Sequence, residues 1–119
     1  MHTSYVIHAV GPNYRQYKTE EKEGDELLSS AYTSSLQCAK DAQLEAVAFS
    51  LLSAGIFRGS KTVKDVLTIG MNAVYNFEGY NGLKEVHFCA FSQKEADTLL
   101  EIASGLGLES IGSDQCDIL

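Results

Sequence analysis

Glu45-Ala46-Val47-Ala48-Phe49-Ser50-Leu51-Leu52 runs directly into Ser53-Ala54-Gly55-Ile56-Phe57-Arg58-Gly59-Ser60-Lys61. The first stretch is almost continuously apolar, the pattern expected of a strand covered on both faces. The second is small and glycine-bearing, so it turns. Thr62-x-x-Asp65 behind it is a capping box, and Val63, Val66, Leu67, Ala73, Val74 and Phe77 give the following helix an apolar stripe. A buried strand, a glycine turn and a capped helix in succession predict an α/β unit.

The same alternation extends in both directions. Upstream, Tyr5-Val6-Ile7-His8-Ala9-Val10 is β-rich and is stopped by Gly11-Pro12. Asn13 to Glu23 is polar and reads as a surface loop. From Asp25, the residues Leu28, Ala31, Tyr32, Ser35, Leu36 and Ala39 recur at helical spacing. The acids Glu20, Glu21, Glu23, Asp25 and Glu26 crowd the helix start, where they suit the positive end of the dipole, and they read as a solvated entry. Downstream, Glu78 to Gly82 is a loop, and Lys84 to Phe91 alternates as a third strand. Ser92-Gln93-Lys94-Glu95 caps a helix that Gly105 and Gly107 end. Strand and helix alternate three times, which predicts parallel strands joined by right-handed crossovers. In such sheets ligands bind beyond the carboxyl ends of the strands, at residues 11–15, 53–61 and 91–95.

Composition fits one globular domain. The chain has 119 residues, 45% hydrophobic and 21% charged. Sixteen acids against nine bases give a net charge of −7, which argues against nucleic acid as main partner. The mostly apolar stretch from Ala46 to Phe57 is far shorter than the roughly 20 residues that cross a bilayer, so no membrane partner is expected. Cys38, Cys89 and Cys116 form no C-x-x-C, which fits a reducing, cytoplasmic or nuclear setting. Cys38 and Cys89 read as buried packing. His2, His8 and His87 lie at no metal-ligand spacing, so neither metal nor cofactor is expected. Tyr14, Tyr17, Tyr75 and Tyr80 fall near loops and need no role.

The 53–61 turn carries the chemistry. Successive N–H groups there can form an anion nest, and the helix behind adds its positive end. Arg58, Lys61 and Lys64 place a third of all bases within seven positions, which points to a phosphate-type group. Phe57 is available to cover a sugar. An ordinary βα turn with a core phenylalanine would show the same spacing, so both readings stay open on this ground.

Three segments in order decide between them. Tyr5-Val6-Ile7-His8-Ala9-Val10-Gly11-Pro12-Asn13, Leu27-Leu28-x-x-Ala31-Tyr32-x-x-Ser35-Leu36 and Leu51-Leu52-Ser53-Ala54-Gly55-Ile56-Phe57 resemble the macro domain family. The resemblance runs from about Tyr5 to Leu108, which sets residues 1–108 as a partial macro-like domain and 109–119 as a C-terminal tail. It implies a three-layer α/β/α fold with an incomplete parallel sheet of about three strands and three helices. It implies binding of ADP-ribose or an ADP-ribosylated protein, with weak ADP-ribosyl hydrolysis as a further expectation. The ligand residues carried over are Ser53, Ala54, Gly55, Ile56 and Phe57 around the pyrophosphate and distal ribose, Phe91 on the adenine, and Ser92 beside it. No catalytic base is identifiable.

The resemblance is to the C-terminal part of the family. The N-terminal strands, the asparagine motif and the glycine-rich loop have no counterpart. In the family the asparagine-bearing strand lies between the counterparts of 5–10 and 46–52, so its loss leaves unpaired edges. A homo-oligomer or a completing N-terminal fragment would cover them. The alternative function is a non-catalytic remnant serving as a structural or oligomerisation module.

Overall fold

The computed structural model describes residues 5–17, 20–55, 58–78 and 82–107, together with the backbone of two short strands beyond them. A 3₁₀ turn, Tyr14–Gln16, precedes α1, Glu21–Asp41. Then follow β1, Ala46–Ser50; α2, Val63–Tyr75; β2, Glu85–Cys89; and α3, Gln93–Gly105. β3, Ile111–Gly112, and β4, Cys116–Ile118, complete the order. The architecture is α/β with three helices, as expected. No described helix is long and apolar enough to cross a membrane.

Strands β1 and β2 pair in parallel, with Val47 opposite Val86 and Phe49 opposite Phe88. The sheet order is β1-β2-β4-β3, and β4 is antiparallel to β2. The parallel part therefore has two strands rather than about three, because residues 5–10 form no strand. The 109–119 segment supplies two strands to the sheet's other side.

One face of the parallel pair carries the core. Phe49, Val86 and Phe88 are buried there with Leu28, Tyr32 and Leu36 of α1 and Val66, Leu67 and Met71 of α2. Leu99, Ile102 and Ala103 of α3 belong to the same cluster. Tyr32 lies at its centre, fully buried, with its ring 5.0 Å from Phe49 and 6.0 Å from Phe88. Burying each such ring contributes about 2–3 kcal/mol. Gly70 of α2 lets the ring approach: a Cβ there would lie 2.7 Å from the Tyr32 ring.

On the opposite face Ala46, Ala48 and Ser50 are exposed. The continuous apolar run predicts cover on both faces, but helices cover β1 on one, and the small residues point away from them.

Both later helices start where their capping boxes predict. Thr62 Oγ1 accepts the Asp65 N–H at 3.1 Å, and Ser92 Oγ accepts the Glu95 N–H at 3.3 Å. Gly107, with φ +79°, takes the left-handed position after α3. Helix α1 starts earlier than its acidic run suggests, at Glu21, and has no side-chain cap. Its early turn is held from outside. The Tyr14 ring lies so close to Gly24 that a Cβ there would sit 2.7 Å from Tyr14 Cε1. Tyr14 is thus 3% exposed, which corrects the reading of 13–23 as a surface loop. Cys38 is also corrected: it is exposed on α1, while Cys89 is half-buried.

Candidate functional site

The turn after β1 is shaped by two buried hydroxyls. Tyr32 Oη accepts the Leu52 N–H at 3.0 Å, which fixes where the chain leaves the strand. Burial pushes the Tyr32 hydroxyl up to about 12, and the Leu52 hydrogen bond opposes that rise. One residue on, Ser53 has φ 57°, a left-handed conformation that costs a non-glycine on the order of 1–3 kcal/mol. Its Oγ donates to the Pro12 carbonyl at 2.7 Å, in a buried position. Gly11 makes room for this contact, since a Cβ there would collide with Ser53 Oγ.

The consequence is a run of free donors. Among the described residues, the N–H groups of Ser53, Ala54 and Gly55 donate to nothing. The turn closes only afterwards, where Arg58 N–H reaches the Gly55 carbonyl at 3.1 Å and Lys61 N–H reaches the Arg58 carbonyl at 3.1 Å. Ser53 and Ala54 are buried, Gly55 is exposed, and a Cβ on Gly55 would meet nothing within 4 Å. Successive amides without partners can hold an anion, and the run reaches the surface at Gly55. Ile56 and Phe57 lie outside the described residues.

Phe91 leaves the same end of the sheet. Ser50 pairs with Cys89, so the 53–55 turn and Phe91 follow neighbouring strands at their carboxyl ends. Phe91 is 99% exposed, and its N–H donates to Glu95 Oε1 at 2.9 Å. Ser92 is occupied as the α3 cap, its own N–H reaching Glu95 Oε1 at 3.2 Å. Glu95 thereby fills the start of α3, so any ligand there would meet a carboxylate.

The basic cluster behaves differently from its sequence reading. Lys61 Nζ sits 3.1 Å from Asp25 and 3.7 Å from Glu21, and 5.5 Å from the Tyr14 ring centroid. Burial would lower its ammonium, but the Asp25 hydrogen bond and charge, with Glu21 and Asp65, raise it overall. Lys64 Nζ is 2.7 Å from Glu101. Two of the three bases are therefore neutralised by acids, and Arg58 has no acidic partner among the described residues. Tyr14 Oη donates to Asp25 at 2.7 Å, so one carboxylate ties Tyr14, α1 and the end of the turn together. Burial foremost, and then Asp25, push the Tyr14 hydroxyl well above its ordinary value. Sequence spacing gives no sign of this network, because its members lie 11 and 36 positions apart.

A parallel strand pair with helices against one face and a donor-rich turn at its carboxyl end defines an α/β module. The Macro domain family profile matches residues 1–68, and the chain belongs to the macro domain family. It is 36% identical over 98 residues to the ADP-ribose glycohydrolase of Archaeoglobus fulgidus, covering 82% of this chain and 48% of that one. It is 34% identical over 91 residues to a macro domain-containing protein of Caldanaerobacter subterraneus subsp. tengcongensis, covering 76% of this chain and 49% of that one. It is 46% identical over 68 residues to polyprotein P1234 of Venezuelan equine encephalitis virus, covering 57% of this chain and 2% of the polyprotein. Among solved structures, the Oceanobacillus iheyensis macrodomain with MES bound superposes with a TM-score of 0.73 at 23% identity, over 84% of this chain and 50% of that one. The chain thus spans about half the length of its bacterial and archaeal relatives and a small fraction of the viral polyprotein.

Proposed function

We propose that this chain binds ADP-ribose or an ADP-ribosyl group on a protein. The diphosphate lies on the 53–57 turn and the adenine stacks on Phe91. One observation carries this reading: the amides of Ser53, Ala54 and Gly55 have no acceptor among the described residues, and the run surfaces at Gly55, where a Cβ would meet nothing within 4 Å. Membership of the macro family and the activity named for the Archaeoglobus relative support it. With Lys61 and Lys64 paired to acids, the anion is held chiefly by main-chain donors. Such donors select geometry rather than charge alone, which suits a diphosphate. Weak hydrolysis of the ADP-ribosyl bond is the finer proposal. It requires water attack at the anomeric carbon, with the turn holding the phosphates in place. None of Ser53, Phe91 and Ser92 offers a base for that water.

Calorimetric titration with ADP-ribose tests the binding. Saturable heat is the expected result. Absence of heat at millimolar ligand, in a sample folded by circular dichroism, removes the proposal.

The second reading is a non-catalytic assembly module. Among the described residues no strand pairs with the other edge of β1, which favours it. It predicts a stable complex with another chain and no nucleotide affinity.

A further inference from the structure

Strand β2 has a neighbour on each side. On one side Ala48 of β1 pairs with His87 and Ser50 with Cys89. On the other, β4 runs antiparallel, with His87 opposite Ile118, Phe88 opposite Asp117 and Cys89 opposite Cys116. Val86 and Phe88 are buried in the helical core. By strand alternation His87 and Cys89 belong to the other face, where both are half-buried.

The register thus sets two cysteines directly across a ladder, although no C-x-x-C spacing announces them. Residues opposite each other in an antiparallel pair share a face and have Cα atoms about 4.5 or 5.5 Å apart. A disulfide takes Cα separations of about 4.4–6.8 Å, so either kind of pair accepts one without moving the backbone. Such a bond would have something to hold. β4 has three residues and β3 two, and strands that short are marginal. Phe91, Ser92 and the whole of α3 lie between the two cysteines, so a bridge closes one loop over that helix and restricts the unfolded chain.

We propose that Cys89 and Cys116 form a reversible disulfide site whose oxidation locks β4 to β2. The co-reactant is a low-molecular-weight disulfide of the glutathione class. One cysteine thiolate attacks a sulfur of that disulfide and releases one glutathione. The other cysteine thiolate attacks the protein sulfur of the mixed disulfide and releases the second. The protein gives up two electrons and two protons, and glutathione disulfide takes them up as two thiols. Cys38 is exposed on α1, outside the sheet, and takes no part. The inference does not depend on nucleotide binding.

The test equilibrates the full chain, folded and in urea, across a series of ratios of glutathione to its disulfide. Acid quenching, alkylation and peptide mapping by mass spectrometry follow. The expected product is a monomer lighter by two hydrogens, with one peptide pair joining Cys89 to Cys116 and Cys38 alone alkylated. Dithiothreitol should restore all three thiols. The fold supplies the proximity, so the bridge should be favoured about tenfold or more over the urea-unfolded chain, a midpoint lower by about 30 mV or more. Hydrogen exchange at β4 amides should slow about tenfold or more on oxidation. Cys38→Ser should keep both effects, and Cys116→Ser should yield only glutathione adducts. Three alkylated thiols throughout, adducts or dimers without the Cys89–Cys116 peptide, or a bridge to Cys38 overturn the proposal. So does a bridge no more favoured than in urea, or β4 exchange that oxidation leaves unchanged.

Discussion

The hydroxyl of Ser53 donates a 2.7 Å hydrogen bond to the carbonyl of Pro12, across 41 positions of sequence. This contact holds Ser53 in its left-handed conformation and links the 5–12 segment to the candidate anion turn. Both partners are buried, so losing the hydroxyl leaves the Pro12 carbonyl without a donor.

That geometry orders two substitutions. Ser53→Ala removes the donor but keeps a side chain at φ 57°, so it should cost about 1–3 kcal/mol. Ser53→Gly also removes the donor, yet relieves the left-handed strain, so its cost should be smaller by about 1 kcal/mol. Chemical denaturation of both variants is the measurement. A glycine variant less stable than the alanine variant would contradict the strain assigned here.

Two helical glycines should respond in opposite directions. At Gly70 a Cβ would stand 2.7 Å from the buried Tyr32 ring, which is held between Phe49 and Phe88 and has little room to move. Gly70→Ala gains about 1 kcal/mol of helix propensity but overpacks the core by about 1–3 kcal/mol. Net destabilisation is expected. At Gly105 nothing lies within 4 Å, so Gly105→Ala should be neutral or stabilising by up to about 1 kcal/mol. Thermal melts of the pair decide, and equal shifts would mean that the Tyr32 ring yields.

What was legible in the sequence depended on local chemistry. Helices α2 and α3 start at Thr62 and Ser92 because each capping box closes within four residues. The donor turn was legible because Ser53 to Gly55 is small and follows a strand. Tyr14 was not: its burial needs Gly24 and Asp25 from the next helix, and a polar segment gives no hint of them. The basic cluster misled for the same reason. Lys61 and Lys64 find Asp25 and Glu101 only after folding, 36 and 37 positions away. Residues 5–10 read as a strand because propensity is local, whereas pairing requires a neighbour.

Alkaline pH should unfold the protein through its tyrosines. The ordinary tyrosine value is 10.0, and Tyr32 stands at about 12 in the folded chain. The folded state therefore holds this proton more tightly than the unfolded state does. Stability from this group is fully present below pH 10 and is lost between about pH 10 and 12, by roughly 2–3 kcal/mol. Tyr14 acts in the same direction, as does Lys61, whose ammonium is also raised. Tyrosinate absorbance should rise together with loss of helical signal. Tyr32→Phe removes this loss but leaves Leu52 N–H without its acceptor, so the variant should start less stable and fall less steeply above pH 10. A Tyr32 ionisation completed near pH 10 with the fold intact would overturn the burial argument.

The ligand site is tested by substitutions that the fold should ignore. A side chain on Gly55 points into open space, so Gly55→Val should leave Tm nearly unchanged. The same space is where a diphosphate would approach the Ser53–Gly55 amides, so ADP-ribose binding should be abolished. Phe91, at 99% exposure, contributes almost nothing to packing, and Phe91→Ala should change stability by less than about 0.5 kcal/mol. Stacking on an exposed ring is worth about 1–3 kcal/mol per base, so the variant should bind ADP-ribose about 5- to 150-fold more weakly. Its affinity for ribose 5-phosphate, which has no base to stack, should not change. Undiminished ADP-ribose affinity in Gly55→Val would move the diphosphate off this turn. A Phe91→Ala chain that loses both ligands equally would assign the ring to something other than the base.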